Sequence, residues 1–308
     1  MKLFKIDIII VTFNGMQWIE RCLNSILNSS IFVTVIVVDN YSKDGTCEYI
    51  KTNFPEVILL KQNENLGFGK ANNIGISLAM KNEADYVFLL NQDAWVEYNT
   101  IGELVQAHQK EQHFGIVSPM HLNGNGSAFD VNFLNYISGN RCENLVSDMF
   151  LNKSKKTIYP IHFINAAGWL ISKNCIETVG GFNPSFFHYG EDENYIQRIK
   201  YHNFSVGVVI NSKIFHDREF RSTNTHFDNI LIVFERNIIC KASDPFIEFL
   251  FGNEYLKLIK NVVRAIFMFE FKGIRSSILK FEILCRINEK ELNNNKLISK
   301  SIGKSFLD

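Results

Sequence analysis

The sequence has little of what marks a fibrous, disordered or membrane-spanning protein. Only 5 of its 308 residues are proline and 18 are glycine, while 46% are apolar, which excludes collagen-like and disordered chains. No run approaches the roughly 18 consecutive apolar residues of a transmembrane helix, so we expect no membrane-spanning segment. The length suits a sizeable hydrophobic core in one large or two smaller domains.

The chain also lacks an excess of either charge and any paired spacing of cysteines. Its 32 lysines and arginines balance 32 acidic residues, so no overall field attracts the backbone of a nucleic acid, and we expect no nucleic-acid partner. The six cysteines lie far apart without a CxxC pair, which indicates reduced thiols in a cytoplasmic protein and no zinc site. Residues 6–11 lead directly into polar Thr12, so we expect a first strand there and not a signal peptide.

Apolar runs alternate with helical patterns over residues 6–90. Residues 6–11 and 33–38 are continuous β-branched stretches, as in strands that are buried on both faces of a parallel sheet. Between them, apolar residues recur every three or four positions, which predicts a helix. The alternation continues to a fourth strand at residues 86–90. We therefore predict an α/β fold with a mostly parallel open sheet flanked by helices, whose ligands bind beyond the carboxyl ends of the strands.

Two later regions depart from this alternation. Residues 124–156 lose a clear period and are predicted as long loops. Residues 251–308 contain eleven Lys or Arg and six Asp or Glu, with apolar residues at helical spacing. We predict a first domain over residues 1–220 and a helical extension over residues 221–308, with a polar tail that frays. The helices fit an anionic membrane surface, and they equally fit packing against the first domain or in a homodimer.

Two acids lie at or just beyond the ends of predicted strands. Asp93 comes after the strand at residues 86–90, where a carboxylate can share a hard divalent cation with the phosphates of a ligand. It can equally cap the next helix or form a turn. Asp39 ends the second strand, where it can accept hydrogen bonds from a nucleobase or ribose, form an Asx turn, or do both.

A glycine-rich turn, an acidic run and a histidine are the other candidates. Residues 63–73 let the backbone approach a phosphate or sugar, but they lack the GxGxxG and GK[ST] patterns of nicotinamide and P-loop enzymes. Residues 191–193 are three acids at a predicted helix start, either favoured there by the helix dipole or including a general base whose pKa its neighbours raise. His216 is either structural or completes, with Asp93, a site for Mn²⁺ or Mg²⁺.

Six short motifs follow one another in a fixed order between residues 6 and 217. They are VTFN at 11–14, VVDNYSKDGT at 37–46, NLGFG and NNIG within 65–75, LLNQD at 89–93, GGF at 180–182 and FHYGED at 187–192. This ordered set resembles the inverting nucleotide-sugar glycosyltransferases of family two, in particular the branch of rhamnosyl- and galactofuranosyltransferases. The resemblance implies the GT-A fold and transfer of a hexose from a UDP- or dTDP-linked donor. The implied acceptor is a hydroxyl of a glycan or lipid-linked molecule in cell-surface polysaccharide synthesis.

The resemblance implies a role for each matching residue on the donor side. Asp93 stands where the family's metal-binding Asp-x-Asp motif ends, while Asn91 replaces its first acid, so we expect a Mn²⁺ or Mg²⁺ cofactor that is held more weakly. His216 falls where a metal-binding histidine is expected in related galactofuranosyl enzymes. The residues that would bind the donor are Thr12, Phe13, Asn14, Asp39, Asn65, Gly67, Phe68, Asn72, Asn91 and Gln92.

The resemblance also assigns the catalytic and acceptor side of the site. Asp192 matches the family's catalytic base, and Glu191 is its supporting neighbour. Trp169, His188 and Tyr189 are candidates for contacts with the acceptor. The expected location is the cytoplasm, either free or on the inner face of the cell membrane.

Two other functions fit parts of the sequence. One is a relative that binds a nucleotide sugar or glycan without transferring it, for which Asn91 is the best support. The other is a nucleotidyltransferase on a related sheet, but residues 10–17 lack the basic glycine-rich phosphate loop that such an enzyme is expected to have.

Overall fold

A central sheet organises the chain. The computed structural model describes residues 4–153, 156–218 and 229–308. The strands in these ranges are β1 (Ile6–Thr12), β2 (Thr34–Asp39), β3 (Ile58–Lys61), β4 (Tyr86–Asn91), β5 (Ala94–Val96), β6 (Phe114–Asn123), β7 (Ile158–Pro160), β8 (Gly168–Ser172) and β9 (Ser205–His216). They form one sheet in the order β3-β2-β1-β4-β8-β6-β9-β5, with β7 also paired to β9. Only β5, β7 and β8 run against the direction of the other strands.

Helices cover both faces of this sheet. In the described ranges they are α1 (Ile19–Leu27), α2 (Thr46–Asn53), α3 (Phe68–Lys81), α4 (Thr100–Lys110), α5 (Val131–Ile137), α6 (Leu145–Phe150), α7 (Lys173–Val179), α8 (Glu191–Tyr201), α9 (Ile230–Ser243), α10 (Phe251–Phe267), α11 (Phe271–Arg286) and α12 (Glu289–Lys300), with a short 3₁₀ turn at Gly139–Arg141. The predicted α/β fold with a mostly parallel, helix-flanked sheet is confirmed. None of these helices is both long and apolar enough to cross a bilayer.

Burial on both faces explains the continuous apolar strands. Ile8, Ile9 and Ile10 of β1 are all fully buried. Ile9 packs in a cluster with residues of α3, α7 and α8, whereas Ile8 and Ile10 pack in a second cluster with residues of α1 and α4. Since neighbouring side chains of a strand point to opposite faces, a strand between two helical layers needs apolar residues at every position.

Two short helices replace the loops predicted for residues 124–156. The Asp130 side chain accepts a hydrogen bond of 2.9 Å from the backbone N–H of Phe133, which caps the start of α5. Phe133 and Ile137 of α5 and Leu145 of α6 are fully buried. The helices are only two turns long, so their apolar residues are too few to give a visible period in the sequence.

Parallel pairing aligns three polar positions at one edge of the sheet. Thr12 of β1 is in register with Asp39 of β2, and Val11 is in register with Asn91 of β4. The strands β2 and β4 lie on opposite sides of β1, so the chain reverses its strand order at this point. A crevice at the carboxyl ends of strands beside such a reversal is where ligands bind in open α/β sheets.

The helices α9 to α12 are attached to the sheet domain. They have a small core of their own, which includes Ile238, Phe251 and Leu284. The predicted fraying of the tail is wrong, because α12 is followed by residues that dock on the sheet domain: Gly181 N donates to Ser305 O at 2.8 Å. The predicted domain boundary at residues 220 and 221 lies outside the described residues.

Candidate active site

A cleft of about 580 Å³ opens at the carboxyl edge of β1, β2 and β4. Asp93, which follows β4, and Glu191 and Asp192, which begin α8, all line it. The structure therefore brings Asp93 to the same cleft as the adjacent acids Glu191 and Asp192, which are far from it in the sequence. Eight other residues that the sequence predicts for the site also line the cleft: Phe13, Asn65, Gly67, Phe68, Asn91, Gln92, His188 and Tyr189.

Thr12 and Asp39 form part of the framework beside the cleft. The Thr12 hydroxyl donates to Asp39 Oδ1 at 3.1 Å, and the backbone N–H of Ser42 donates to Asp39 Oδ2 at 3.1 Å. The second bond spans three residues, so it closes a local turn at Asp39 but is not the two-residue Asx turn that the sequence offered as an alternative. Asn14 is similarly engaged, since its Oδ1 accepts from Lys43 N at 2.9 Å. Asn72 donates to a backbone carbonyl within α3.

Gln92 fixes Phe13 at the mouth of the cleft. The backbone N–H of Phe13 donates to Gln92 Oε1 at 3.0 Å, and Gln92 Nε2 donates to Phe13 O at 3.2 Å. This pair of bonds bridges the ends of β1 and β4. Phe13 as a residue remains 44% exposed, so an aromatic side chain with a fixed backbone is available at the cleft.

The glycine-rich turn before α3 touches the loop before α8. Gly67 has a φ of +79°, and a Cβ built on it would lie 2.0 Å from the carbonyl oxygen of Phe187. The next residue, Phe68, donates its N–H to the same oxygen at 3.2 Å. Asn40 secures the turn from below, since its side chain donates to Asn65 Oδ1 at 2.8 Å. Glycine is therefore required at position 67 both by conformation and by space.

Asp93 and His216 form a buried pair of candidate metal ligands. The antiparallel pairing of β5 with β9 sets Ala94 opposite His216, which leaves Asp93 Oδ1 3.4 Å from His216 Nε2. Both residues are nearly inaccessible to solvent, and Nδ1 of the same imidazole lies 3.6 Å from Asp130 Oδ2. Asn91, which replaces the family's first acid, has its side-chain amide nitrogen 3.5 Å from His216 Nε2.

This pair fits a shared cation site better than a closed protein cage. Across the described ranges, no group of three or more His, Cys, Asp or Glu side chains is arranged to hold an ion. Mg²⁺ commonly takes one or two protein ligands together with substrate phosphates and water. Adjacent ligands of an octahedral ion at about 2.1 Å are about 3 Å apart, close to the observed 3.4 Å. Asp93 and His216 can therefore supply two ligands, with the others coming from a bound diphosphate.

The surroundings of Glu191 and Asp192, at the start of α8, raise the pKa of both carboxyls. Burial, followed by the charge of Asp192, raises the pKa of Glu191, whose Oε2 is buried and has no hydrogen-bond partner in the described residues. Burial also raises the pKa of Asp192, and the charge of Glu193 acts in the same direction. Arg236 and backbone N–H groups oppose these shifts. A carboxylate with a raised pKa is a stronger base near neutral pH.

The helical extension contributes to the cleft, which the sequence did not predict. Arg236 and Asn237 of α9 line the cavity, because α9 packs against the start of α8. Asn194 Nδ2 donates to Ser243 O at 3.2 Å, and a Cβ on Gly190 would lie 2.9 Å from the sulfur of Cys240. Only the long-range packing of α9 reveals this contribution, since nothing in its local sequence distinguishes Arg236 from other surface cations.

Several further lining residues were missed, among them one on α5 and one after β9, and one predicted residue must be corrected. Tyr136 of α5 and Arg218 after β9 both line the cleft. Trp169, predicted on the acceptor side, is instead fully buried. The pairing of β8 with β4 directs its indole into the core, where it stacks on Phe182 with 6.2 Å between ring centroids. It cannot contact an acceptor in this position.

Comparison with curated proteins gives relatives that are named as sugar transferases. The chain is 26% identical over 203 residues to the low-salt glycan biosynthesis hexosyltransferase Agl10 of Haloferax volcanii. The aligned region covers 66% of this chain and 64% of that protein. It is 23% identical over 233 residues to an N-acetylglucosaminyl-diphospho-decaprenol L-rhamnosyltransferase of Mycobacterium tuberculosis, covering 69% of this chain and 76% of the relative.

Solved structures share the fold at low identity. TarS residues 1–349 of S. aureus, solved with UDP, match with a TM-score of 0.55 and 15% identity, over 80% of this chain and 67% of that one. GalNAc-T7, solved with UDP, GalNAc and Mn²⁺, matches with a TM-score of 0.56 and 18% identity, over 79% of this chain and 51% of that one. These likenesses agree with the predicted GT-A fold.

The family is shown by a match that covers more than half of the chain. Residues 7–179 match the family described as Glycosyl transferase family 2. This segment contains Asp93 and the donor-side motifs but ends before Asp192 and His216. The chain therefore belongs to glycosyl transferase family 2, as its ordered motifs predict.

Proposed function

We propose that the protein transfers a hexose from a nucleotide diphosphate sugar to an acceptor hydroxyl with inversion at the anomeric carbon. The observation that carries this proposal is the position of Asp93 and Asp192 on one cleft of about 580 Å³. We assign Asp93 to the diphosphate of the donor and Asp192 to the attacking hydroxyl. Family membership and UDP-bound structures of the same fold support a nucleotide-sugar donor.

The donor nucleotide fits the edge formed by β1, β2 and β4. The half-exposed ring of Phe13 offers a surface on which a nucleobase can stack, and Gln92 holds its backbone in place. We propose that Asp39, which lies beside the cleft, accepts hydrogen bonds from the nucleoside. The turn at Asn65 and Gly67 lies along the donor sugar, where the absence of a side chain at Gly67 permits close approach.

Asp93 and His216 are the residues that would hold Mn²⁺ or Mg²⁺. When bound, the cation would neutralise the charge that develops on the departing diphosphate. Their burial fixes both side chains and keeps competing water away. Asn91 contributes no charge, so we infer that metal affinity depends strongly on the donor phosphates.

Asp192 acts as general base on the acceptor side. It removes the proton from the acceptor hydroxyl as the oxygen attacks the sugar. Glu191, whose own pKa is raised by burial, is its supporting neighbour. Because one displacement occurs without a covalent enzyme intermediate, the configuration inverts. His188 and Tyr189 line the cleft beside this helix and are proposed to contact the acceptor.

The acceptor is proposed to be a glycan or a lipid-linked sugar in cell-surface polysaccharide synthesis. The Mycobacterium relative is named for a diphospho-decaprenol acceptor and a rhamnosyl product, and the Haloferax relative is named for glycan biosynthesis. A cytoplasmic location accords with six cysteines that form no disulfide. On the basis of the sequence motifs, we propose rhamnose or galactofuranose as the transferred sugar.

A panel of UDP- and dTDP-sugars with Mn²⁺ tests this function. We expect one donor to stabilise the purified protein thermally, by about 2.7 kcal/mol at a hundredfold excess over its Kd, and to release nucleotide diphosphate when an acceptor is added. Stabilisation without release under any acceptor would favour the alternative, a binding relative, which Asn91 supports. If no donor of either class stabilises the protein or is turned over, the proposed function is wrong.

The pH dependence of kcat/KM should show the raised pKa of the base. Asp192 can accept a proton only when ionised, and burial raises its pKa to about 6. We therefore expect kcat/KM to fall as the pH drops through about 6, whereas an ordinary Asp with a pKa of about 3.9 would keep it constant to much lower pH. Initial rates at saturating Mn²⁺ give the profile. A rate that stays flat down to about pH 4 would contradict the assignment.

A further inference from the structure

The tip of the hairpin formed by α10 and α11 is unusually apolar and exposed. Phe267, Phe269 and Phe271 are 80%, 81% and 77% exposed, and Met268 between them is 53% exposed. A soluble protein surface rarely presents several large apolar side chains side by side unless another phase or partner covers them. We call residues 267–271 the hairpin tip.

The exposed side of α10 extends this apolar surface. Leu256, Ile259, Val263 and Ile266 recur at intervals of three and four residues, and each is between 47% and 56% exposed. They form a stripe along one face of the helix. The opposite face carries Leu258 and Ala265, which are buried against the neighbouring helices. The outer stripe is therefore not required for the internal packing of α10.

Positive charge lies directly beside the stripe. Three basic residues each directly follow a stripe residue, so they form a parallel basic row on the solvent side: Lys257, Lys260 and Arg264. Residues 251–286 contain seven Lys or Arg and three acids, although the chain as a whole is neutral. An apolar stripe beside a basic row is the arrangement of helices that lie in the interface of an anionic membrane.

We propose that the hairpin tip and the outer face of α10 dock on an anionic lipid bilayer. The phenylalanines of the tip enter the boundary between headgroups and acyl chains, while Lys257, Lys260 and Arg264 contact acidic headgroups. A second copy of the chain is a poorer occupant, because a symmetric contact would bring two surfaces of the same positive charge together. This proposal concerns a surface outside the cleft and does not depend on the proposed function.

Vesicle flotation of the full chain tests the proposal. We expect the protein to float with vesicles of phosphatidylcholine and phosphatidylglycerol, and much less with phosphatidylcholine alone. Replacing the tip aromatics together, F267S, F269S and F271S, should weaken partitioning by at least about tenfold. Replacing the basic row, K257Q, K260Q and R264Q, should weaken it on the order of a hundredfold on anionic vesicles only.

Matched controls separate this surface from general properties of the chain. F32S removes a phenylalanine that is 86% exposed on the sheet domain, and K51Q, K81Q and K110Q remove three lysines there. Neither control should change flotation. All variants should keep the melting temperature and the donor turnover of the parent protein in the absence of vesicles. A failure of donor turnover in the parent would thus be distinguishable from a failure of membrane docking.

A spectroscopic measurement gives a second readout if the triple variant folds poorly. We expect F269W to show a blue-shifted emission on addition of anionic vesicles, relative to the parent protein with its three tryptophans. The proposal is overturned if the parent protein does not bind anionic vesicles, or if the tip variant binds them as well as the parent. It is also overturned if F267S, F269S and F271S abolish a dimer in sedimentation without any effect on vesicles.

Discussion

Replacing Asp192 by Asn should lower turnover by about a hundred- to ten-thousandfold while donor binding stays nearly unchanged. A general base contributes about this factor to a hydroxyl transfer, and Asn cannot accept the proton. Folding should be preserved, because a pKa raised by burial means that the ionised carboxylate costs the folded state free energy at neutral pH. Single-turnover kinetics and donor titration on the same samples separate the two effects.

The neighbouring substitution Glu193→Gln is the matched control for Asp192. Glu193 also lies in the first turn of α8, but its side chain is exposed. We expect its loss to change turnover only a fewfold, through a small fall in the pKa of Asp192. If Asp192→Asn turned over donor as rapidly as Glu193→Gln, the base would have to be another residue of the cleft.

Replacing Asp93 by Ala should weaken both metal-dependent donor binding and rate, by roughly a hundredfold or more in kcat/KM. Asp93 is the only carboxylate of the Asp93–His216 pair, and a cation that it would help to hold would contribute several kcal/mol to stabilising the departing charge. Calorimetric titration of Mn²⁺ in the presence of UDP measures the affinity, and initial rates at several Mn²⁺ concentrations measure the effect on turnover.

The reverse change at Asn91 provides a test in the opposite direction. Asn91→Asp restores a carboxylate beside His216, where the amide nitrogen now lies 3.5 Å from Nε2. We expect this variant to bind Mn²⁺ more tightly than the parent protein, because a second carboxylate adds charge to the site. If the Mn²⁺ affinity were unchanged in both Asp93→Ala and Asn91→Asp, neither position 93 nor position 91 would have a role in metal binding.

The sheet and its ligand edge were predictable because their causes are local. Strands β1, β2 and β4 are buried on both faces, so they appear as continuous apolar runs. Once these strands are parallel and adjacent, the polar residues after them must meet at one edge. The position of Asp93 at this edge of the sheet therefore follows from the sequence alone.

The remainder of the site depends on contacts that no local pattern contains. The strand β9 begins in an apolar stretch at residues 205–210 and continues to His216 after a register shift beside Pro119 and Met120. That continuation is what brings His216 next to Asp93. Arg236 likewise reaches the cleft only because α9 packs on α8. Trp169 was misplaced because its burial depends on which neighbour β8 pairs with.

The packing of α9 on the first turn of α8 means that the proposed catalytic unit cannot be isolated by cutting the chain after the sheet domain. Cys240 contacts Gly190, and the carbonyl oxygen of Ser243 accepts a hydrogen bond from Asn194. Loss of α9 would therefore expose the start of α8 to water. Exposure to solvent would lower the pKa of Asp192 toward that of a free side chain and make it a weaker base. A shortened protein that still binds donor could thus be catalytically poor for a reason unrelated to acceptor or membrane.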